Sequence, residues 1–411
     1  MENALDVTIQ RDGHPLVTLV RPWAALGLAL VLLAGCEAHD SPAPGTPSLS
    51  VLPGGEATEA ATAGRSQELD VSGRFSMPAY SDGFWWAPAA AAGERIILKG
   101  TSPRPPHITQ RFVLYDPITQ AIDDLWSSPE GAQDALTSSD GDWLAISRMS
   151  PSLPFEDWTV MLRNWRTGEV REVAKSDPRV ATYPGLHVGL PNGLAPNPQV
   201  RDGVVVWDEY FIAGTGVGKR IQQYVIATGL TSSVAQVDDA RFEELSRPTY
   251  ARGKTAWIRL TFADGKEDSV AIEVDLAEGG QVTSLTLPGR PFIISFSSDG
   301  RTLYWDDDIA QLKRTDLATM ETQSILGRVG HWPFVSGRYV GAAPRTEVGD
   351  TWVGYFDEAT SITYEHHIDD PAERSGVGMP LGKWFAWNVL VSDADGNNDP
   401  VRSALHFLPL E

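Results

Sequence analysis

The sequence predicts an all-β chain folded as a single seven-bladed β-propeller, with six blades as the alternative count. Three observations lead there. The first is the stretch Arg201-Asp202-Gly203-Val204-Val205-Val206-Trp207, a polar turn closed by Gly and followed by β-branched residues ending in Trp. Gly supplies the positive φ of a tight turn, and a Val run suits a buried strand. The second is recurrence: the same design has its Gly at 93, 141, 203, 253, 300, 337 and 382, spaced 48, 62, 50, 47, 37 and 45 residues apart. Strand-built units near that period define a propeller. The third is a complementarity between the ends. The last unit stops at Glu411 one strand short, while 68–75 is an alternating segment with no unit of its own. An N-terminal strand that completes the last blade closes the ring and removes an exposed edge.

The elements follow in order. An apolar strand after each glycine turn is predicted at 95–99, 143–148, 204–209, 255–260, 302–305, 339–342 and 384–390. After a hairpin of variable length, a second strand ending in a polar residue is predicted at 111–116, 158–164, 221–226, 269–275, 311–316, 351–357 and 403–408. Turns such as Thr167-Gly168-Glu169, Thr228-Gly229 and Glu278-Gly279-Gly280 then lead into an outer strand. There the alternation of Val170, Glu172 and Val173 fits a strand with one wet face.

Composition bounds the function. A net charge of −21 argues against a nucleic-acid partner, because phosphate binding needs a basic face. The single Cys is Cys36, so no disulfide forms within the chain and an exported fold must stand on its core alone. Arg11 and Arg21 precede an apolar run from Trp23 to Leu33, and small residues follow, which describes a secretory signal. The run is short of the about 20 apolar residues of a transmembrane span. Residues 37–67 are rich in Pro, Gly, Ala, Ser and Thr, a composition that reads as a flexible tether. The expected organisation is therefore a signal peptide at 1–35, a lipid-anchored linker at 36–67 and a propeller domain at 68–411.

Leu33-Ala34-Gly35-Cys36 resembles the bacterial lipobox. That resemblance implies cleavage before Cys36, lipidation of its thiol, and a cell-envelope protein anchored to a membrane. The expected location is the outer membrane, facing the periplasm; Glu37, which follows the Cys, does not decide between the membranes. Gly203 to Trp207, Ile221 to Ile226 and Thr228-Gly229, and next the unit from Ser298 to Trp305, resemble the WD40-like propeller repeats of TolB-type periplasmic proteins. The likeness covers about residues 68–411. It implies a propeller that serves either as a partner-binding scaffold or, on related rings, as a lyase or hydrolase. Fold alone does not choose between these.

Candidate chemistry is sparse. Asp393, Asp395 and Asp399 lie in an acidic loop with Gly396, and oxygen ligands on alternate residues suit Ca²⁺; the same residues also make an ordinary hairpin tip. The EF-hand pattern fails, because Val391 and Arg402 stand at its first and twelfth positions. No cofactor is otherwise expected. Asp306, Asp307 and Asp308 after Trp305 read as a solvated turn rather than an acid–base group. His366 and His367 are adjacent, so on a strand they point to opposite faces and rarely reach one ion. Ala213 to Arg220 superficially resembles a phosphate loop, but Arg220 replaces the metal-holding hydroxyl and no helix follows, so it reads as a flexible hairpin. No Gly-x-Ser-x-Gly elbow occurs. Of the 14 Trp, those at 143, 207, 257, 305, 384 and 387 fall in the repeated strand and read as packing between blades. Trp85, Trp86, Trp126, Trp158 and Trp332 are the candidates for stacking a sugar or peptide. The variable hairpins and the long link from Lys175 to Gln199 open on one end of the ring, where a binding surface is expected. The leading expectation is a protein- or peptide-binding scaffold. The alternative is a lyase or hydrolase acting on a polysaccharide or peptide.

Overall fold

A computed structural model describes residues 51–56, 58–59, 65–102, 109–149, 157–181, 183, 195–240, 242–262, 270–307, 311–325, 329–344, 351–368, 373–375, 378–391 and 398–410. They form seven sheets arranged as a seven-bladed β-propeller. Numbered from the N-terminal side, blade 1 runs Phe84–Ala92, Arg95–Ser102, Thr109–Tyr115 and Ile122–Ser127 from its innermost strand outward. Blade 2 has Gln133–Asp140, Trp143–Met149, Trp158–Asn164 and Val170–Lys175. Blade 3 has Gln199–Arg201, Val204–Ala213, Gly216–Val225 and Leu230–Val237. Blade 4 has Glu243–Ala251, Lys254–Phe262, Val270–Glu278 and Gln281–Thr286. Blade 5 has Ile294–Phe296, Thr302–Asp306, Leu312–Asp316 and Glu321–Ser324. Blade 6 has Val329–Ser336, Tyr339–Pro344, Thr351–Asp357 and Ile362–Ile368. In blade 7, Glu373–Ser375 and Met379–Leu381 both pair with Trp384–Val391, which pairs with Ala404–Pro409.

All seven marker glycines sit at positive φ, between the innermost and second strands of their blades. At Asp202 and Gly203 both turn residues do so, at φ +50° and +74°. That is the two-residue turn whose twist matches its flanking strands. The repeated Trp then falls between blades: Trp207, Trp257, Trp305 and Trp387 are fully buried. Trp207 packs with Trp158 and Leu162 of the preceding blade, and Trp305 with Ile258.

The missing fourth strand of blade 7 comes from the N-terminal side. It is Phe75–Pro78, antiparallel to Ala404–Pro409, a few residues beyond the segment expected to close the ring. Blades 7 and 1 are also tied at the turn end, where Trp384 Nε1 donates to Glu94 O at 2.7 Å. The segment read as a tether is partly recruited. Val51–Glu56, Thr58–Glu59 and Arg65–Glu68 add as parallel fifth strands to the outer edges of blades 4, 5 and 6. The strand edge supplies backbone partners, so pairing there needs little intrinsic β preference. No helix among the described residues is long and apolar enough to cross a membrane, which says nothing about β-barrels. Residues 1–35 and Cys36 lie outside the described residues.

Candidate functional site

The hairpins between second and third strands, and the links into each blade, open on one end of the ring. Just beneath that end lies a layer of buried charge. In blade 3, Val204–Ala213 and Gly216–Val225 place Asp208 and Lys219 on the face toward blade 4, 2.8 Å apart and both buried. Lys219 Nζ is also 3.9 Å from Glu244 of blade 4 and 3.8 Å from the Tyr210 ring centroid. Burial alone would push the ammonium down, but Asp208, Tyr210 and Glu244 reverse this and hold it above its ordinary range. Burial pushes the Tyr210 phenol up. On the opposite face, Glu209 accepts from Trp207 Nε1 at 2.8 Å and from Arg220 Nε at 2.7 Å.

The layer continues in blade 5. Asp307 pairs with Lys313 at 3.2 Å, and Asp306 Oδ1 accepts the Ile293 N–H at 2.7 Å. These two carboxylates correct the reading of a solvated turn, since Asp306 is 0% and Asp307 4% exposed. The hairpin 213–220 is a hairpin as expected, with Ala213 opposite Gly216, but its cations are held in ion pairs, Lys219 buried on Asp208 and the partly exposed Arg220 on buried Glu209. In blade 2, Asp134 makes a two-pronged bond to Arg148 at 2.6 and 2.7 Å. Lys99 of blade 1 stands near it, and burial, opposed by Asp134, lowers its amine to about 8.

Beside this layer, blades 4 and 5 present different chemistry. Arg247 sits on the innermost strand of blade 4 at φ +55°, just before Pro248, where the ladder with the second strand is interrupted. A left-handed non-Gly residue stores strain, and such residues gather at functional positions. Its guanidinium lies 4.0 Å from the ring centroid of Phe292 and donates to the Phe292 carbonyl. Burial lowers Arg247, opposed by Asp306, Asp208 and Glu244, so it belongs electrostatically to the charged layer. Phe292 and Phe242, in the links leading into blades 5 and 4, are each about half exposed. Half-exposed aromatics in two neighbouring links, one of them packed on an Arg, next to a buried charged layer have the composition of a recognition surface.

No motif in the sequence marks these three residues. The available signal was a Phe in each link close ahead of an innermost strand. Of the residues the sequence did mark, Asp393 and Asp395 lie outside the described residues, as does Asp308. Asp399 is described: its Oδ1 accepts the Val401 N–H at 2.8 Å and the Arg402 N–H at 3.3 Å, as a turn former does. His366 and His367 diverge as expected. The His367 ring lies against Trp352, while His366 acts electrostatically on His406 of blade 7. Among the described residues, no group of three His, Cys, Asp or Glu could hold a metal ion. Trp86 and Trp158 are buried, and Trp126 stacks on Phe112 beneath Arg163. Trp85, tilted against Tyr80 on the innermost strand of blade 1, stays partly exposed.

No family model matches the chain, and no curated protein does. Solved structures do. The β-propeller domain of the Trilobed protease from Pyrococcus furiosus matches with TM-score 0.53 and 12% identity, over 80% of this chain and 97% of that one. An acylaminoacyl peptidase in complex with Z-Gly-Gly-Phe-chloromethyl ketone matches with TM-score 0.52 and 10% identity. That match covers 77% of this chain and 50% of the peptidase, so the chain spans half of that protein. An oligogalacturonate lyase in complex with manganese matches with TM-score 0.45 and 12% identity, over 85% and 98%. The class defined is the seven-bladed β-propeller. At these identities the likeness extends to fold alone.

Proposed function

We propose that the chain is a cell-envelope lipoprotein, anchored through Cys36 to the outer membrane and facing the periplasm, whose propeller binds a protein or peptide at its loop-bearing end. The observation that carries this reading is the half-exposed Phe242 and Phe292 in adjacent links, with Arg247 packed on Phe292, beside a layer of mutually neutralised charges. Lys219 and Tyr210 are shifted away from neutrality, which suits rigid support better than proton transfer. Replacing Phe242 and Phe292 by Ala tests it, with partner binding measured in solubilised envelope. The expected result is loss of the partner; unchanged recovery contradicts the reading. Lipidation is tested by labelling with an alkyne fatty acid, which Cys36→Ser should abolish.

A second reading, an enzyme acting on a polysaccharide or peptide as lyase or hydrolase, is favoured by Lys99. Its amine, lowered to about 8 beside Asp134, is the group best placed among these for base work near neutral pH. Turnover screened with and without Ca²⁺, lost in Lys99→Gln, would support it.

A further inference from the structure

The seams between blades differ in their balance of charge. Between blades 3 and 4 one buried ammonium, Lys219, stands between Asp208 and Glu244. Between blades 1 and 2 the proportion is reversed. There Ile97, Phe112 and Leu114 of blade 1 share one apolar cluster with Leu144, Ile146 and Met161 of blade 2. Strand alternation puts Lys99 on the face of Ile97, Arg148 on that of Ile146 and Arg163 on that of Met161. Three cations therefore enter one seam, and Asp134 is the carboxylate that acts on all of them.

Asp134 is fully buried and engages Arg148 with both oxygens, at 2.6 and 2.7 Å. Among the described residues, Lys99 and Arg163 make no ion pair. Burial lowers both groups, and Asp134 opposes it in each case. Arg163 lies 4.7 Å from the Trp126 ring centroid and donates to the Leu125 carbonyl at 3.4 Å. Neither contact cancels its charge. Trp126 belongs to the same row of side chains: Lys99 is opposite Phe112, and Phe112 is opposite Trp126, on which it stacks at 4.2 Å. The buried Trp126 Nε1–H has no acceptor among the described residues. Two uncompensated cations and an orphaned donor are costly to keep in one seam, and in a chain of net charge −21 nothing general calls for them. An anion bound there satisfies all three.

We propose that the seam between blades 1 and 2 binds a phosphate group, free or at the end of a small ester, held by Lys99, Arg163 and Trp126 Nε1. Two uncompensated positive charges match the about −1.5 to −2 of a phosphate near neutral pH, whereas a single carboxylate leaves one cation unmatched. Arg163 offers a planar fork of donors, Lys99 a compact charge, and the indole one further N–H. The site shares Lys99 with the enzymatic reading but requires binding alone, and it is independent of Phe242 and Phe292.

The test is calorimetric titration of the full chain with inorganic phosphate at low ionic strength, with glycerol 3-phosphate and acetate as comparators. Saturable binding of phosphate or of the ester is expected, with acetate at least about tenfold weaker. Tighter binding of the ester assigns the group to an ester, and tighter binding of inorganic phosphate assigns it to the free ion. Lys99→Gln and Arg163→Gln should each weaken binding at least about tenfold. Arg111→Gln, on the other face of its strand and paired with Asp124, should not. The Tm separates this role from a structural one. Without phosphate, Lys99→Gln should leave the Tm unchanged or raise it, because no ion pair is broken. Phosphate should raise the Tm of the native chain and of neither seam variant. Absence of saturable binding, acetate bound as tightly as phosphate, or phosphate binding that survives both seam substitutions overturns the proposal.

Discussion

Lys219 Nζ and Asp208 Oδ2 face each other at 2.8 Å across blade 3, on the side that packs against Glu244 of blade 4. Both charges are out of water, so each depends on the other to offset its desolvation. Lys219→Met should therefore cost about 3–5 kcal/mol in urea unfolding, because it strands two buried carboxylates. Lys219→Met combined with Asp208→Leu should cost less than the two single changes added together. Additive losses would mean the pair is not coupled.

His406 gives the ring a pH dependence. Burial, then the charges of Arg74 and His366, lower its imidazole to about 4, while Nδ1 lies 2.7 Å from Ser76 Oγ. In the unfolded chain the same group titrates near about 6.5. Above that pH both states are neutral and stability is flat. Between about 6.5 and about 4 only the unfolded chain takes the proton, so stability falls as pH falls, by on the order of 1–3 kcal/mol. His406→Gln should remove that part of the slope in urea midpoints measured across this window. An unchanged slope would assign it elsewhere.

Gly100 is opposite Trp86 in blade 1, and a Cβ there would meet the indole at 2.7 Å. The indole is buried and donates to Ser81 Oγ at 3.0 Å, so it has little room to move. Gly100→Ala should destabilise by about 1–3 kcal/mol through overpacking, read as a lower Tm.

Closure by Phe75–Pro78 makes blade 7 dependent on the N-terminal side. Phe75 also meets Trp384 edge-on at 5.8 Å. A chain beginning at residue 79 is expected to expose the Ala404–Pro409 edge, bind a hydrophobic dye and unfold at lower urea. A truncated chain as stable as the full one would refute the closing role.

The ring was legible because its signal is periodic: a Gly turn and an apolar strand recur in every blade, and a Trp sits in that strand in five of the seven. The belt was not, since Val51–Glu56 contains Pro53, Gly54 and Gly55 and pairs only because blade 4 offers an edge. Local composition is silent about a distant edge. The closing strand was placed a few residues early for a related reason. Leu69 and Val71 alternate like a strand, yet they serve the apolar cluster shared by blades 6 and 7. Asp306 and Asp307 looked solvated because their partners, Ile293 N–H and Lys313, join them only in the folded blade. Phe242 and Phe292 were readable in principle as large apolar residues in the links, but their exposure depends on how those links leave the ring.

The central claim is that the loop-bearing end over blades 4 and 5 is where the protein meets its partner. The most direct measurement places a photoreactive phenylalanine at Phe292 and, as control, at the exposed Val401, and irradiates cells that produce the protein. A discrete cross-linked species from position 292, absent from position 401 and lost on Arg247→Ala, is the predicted result. The same products from both positions, or none from 292, would contradict it.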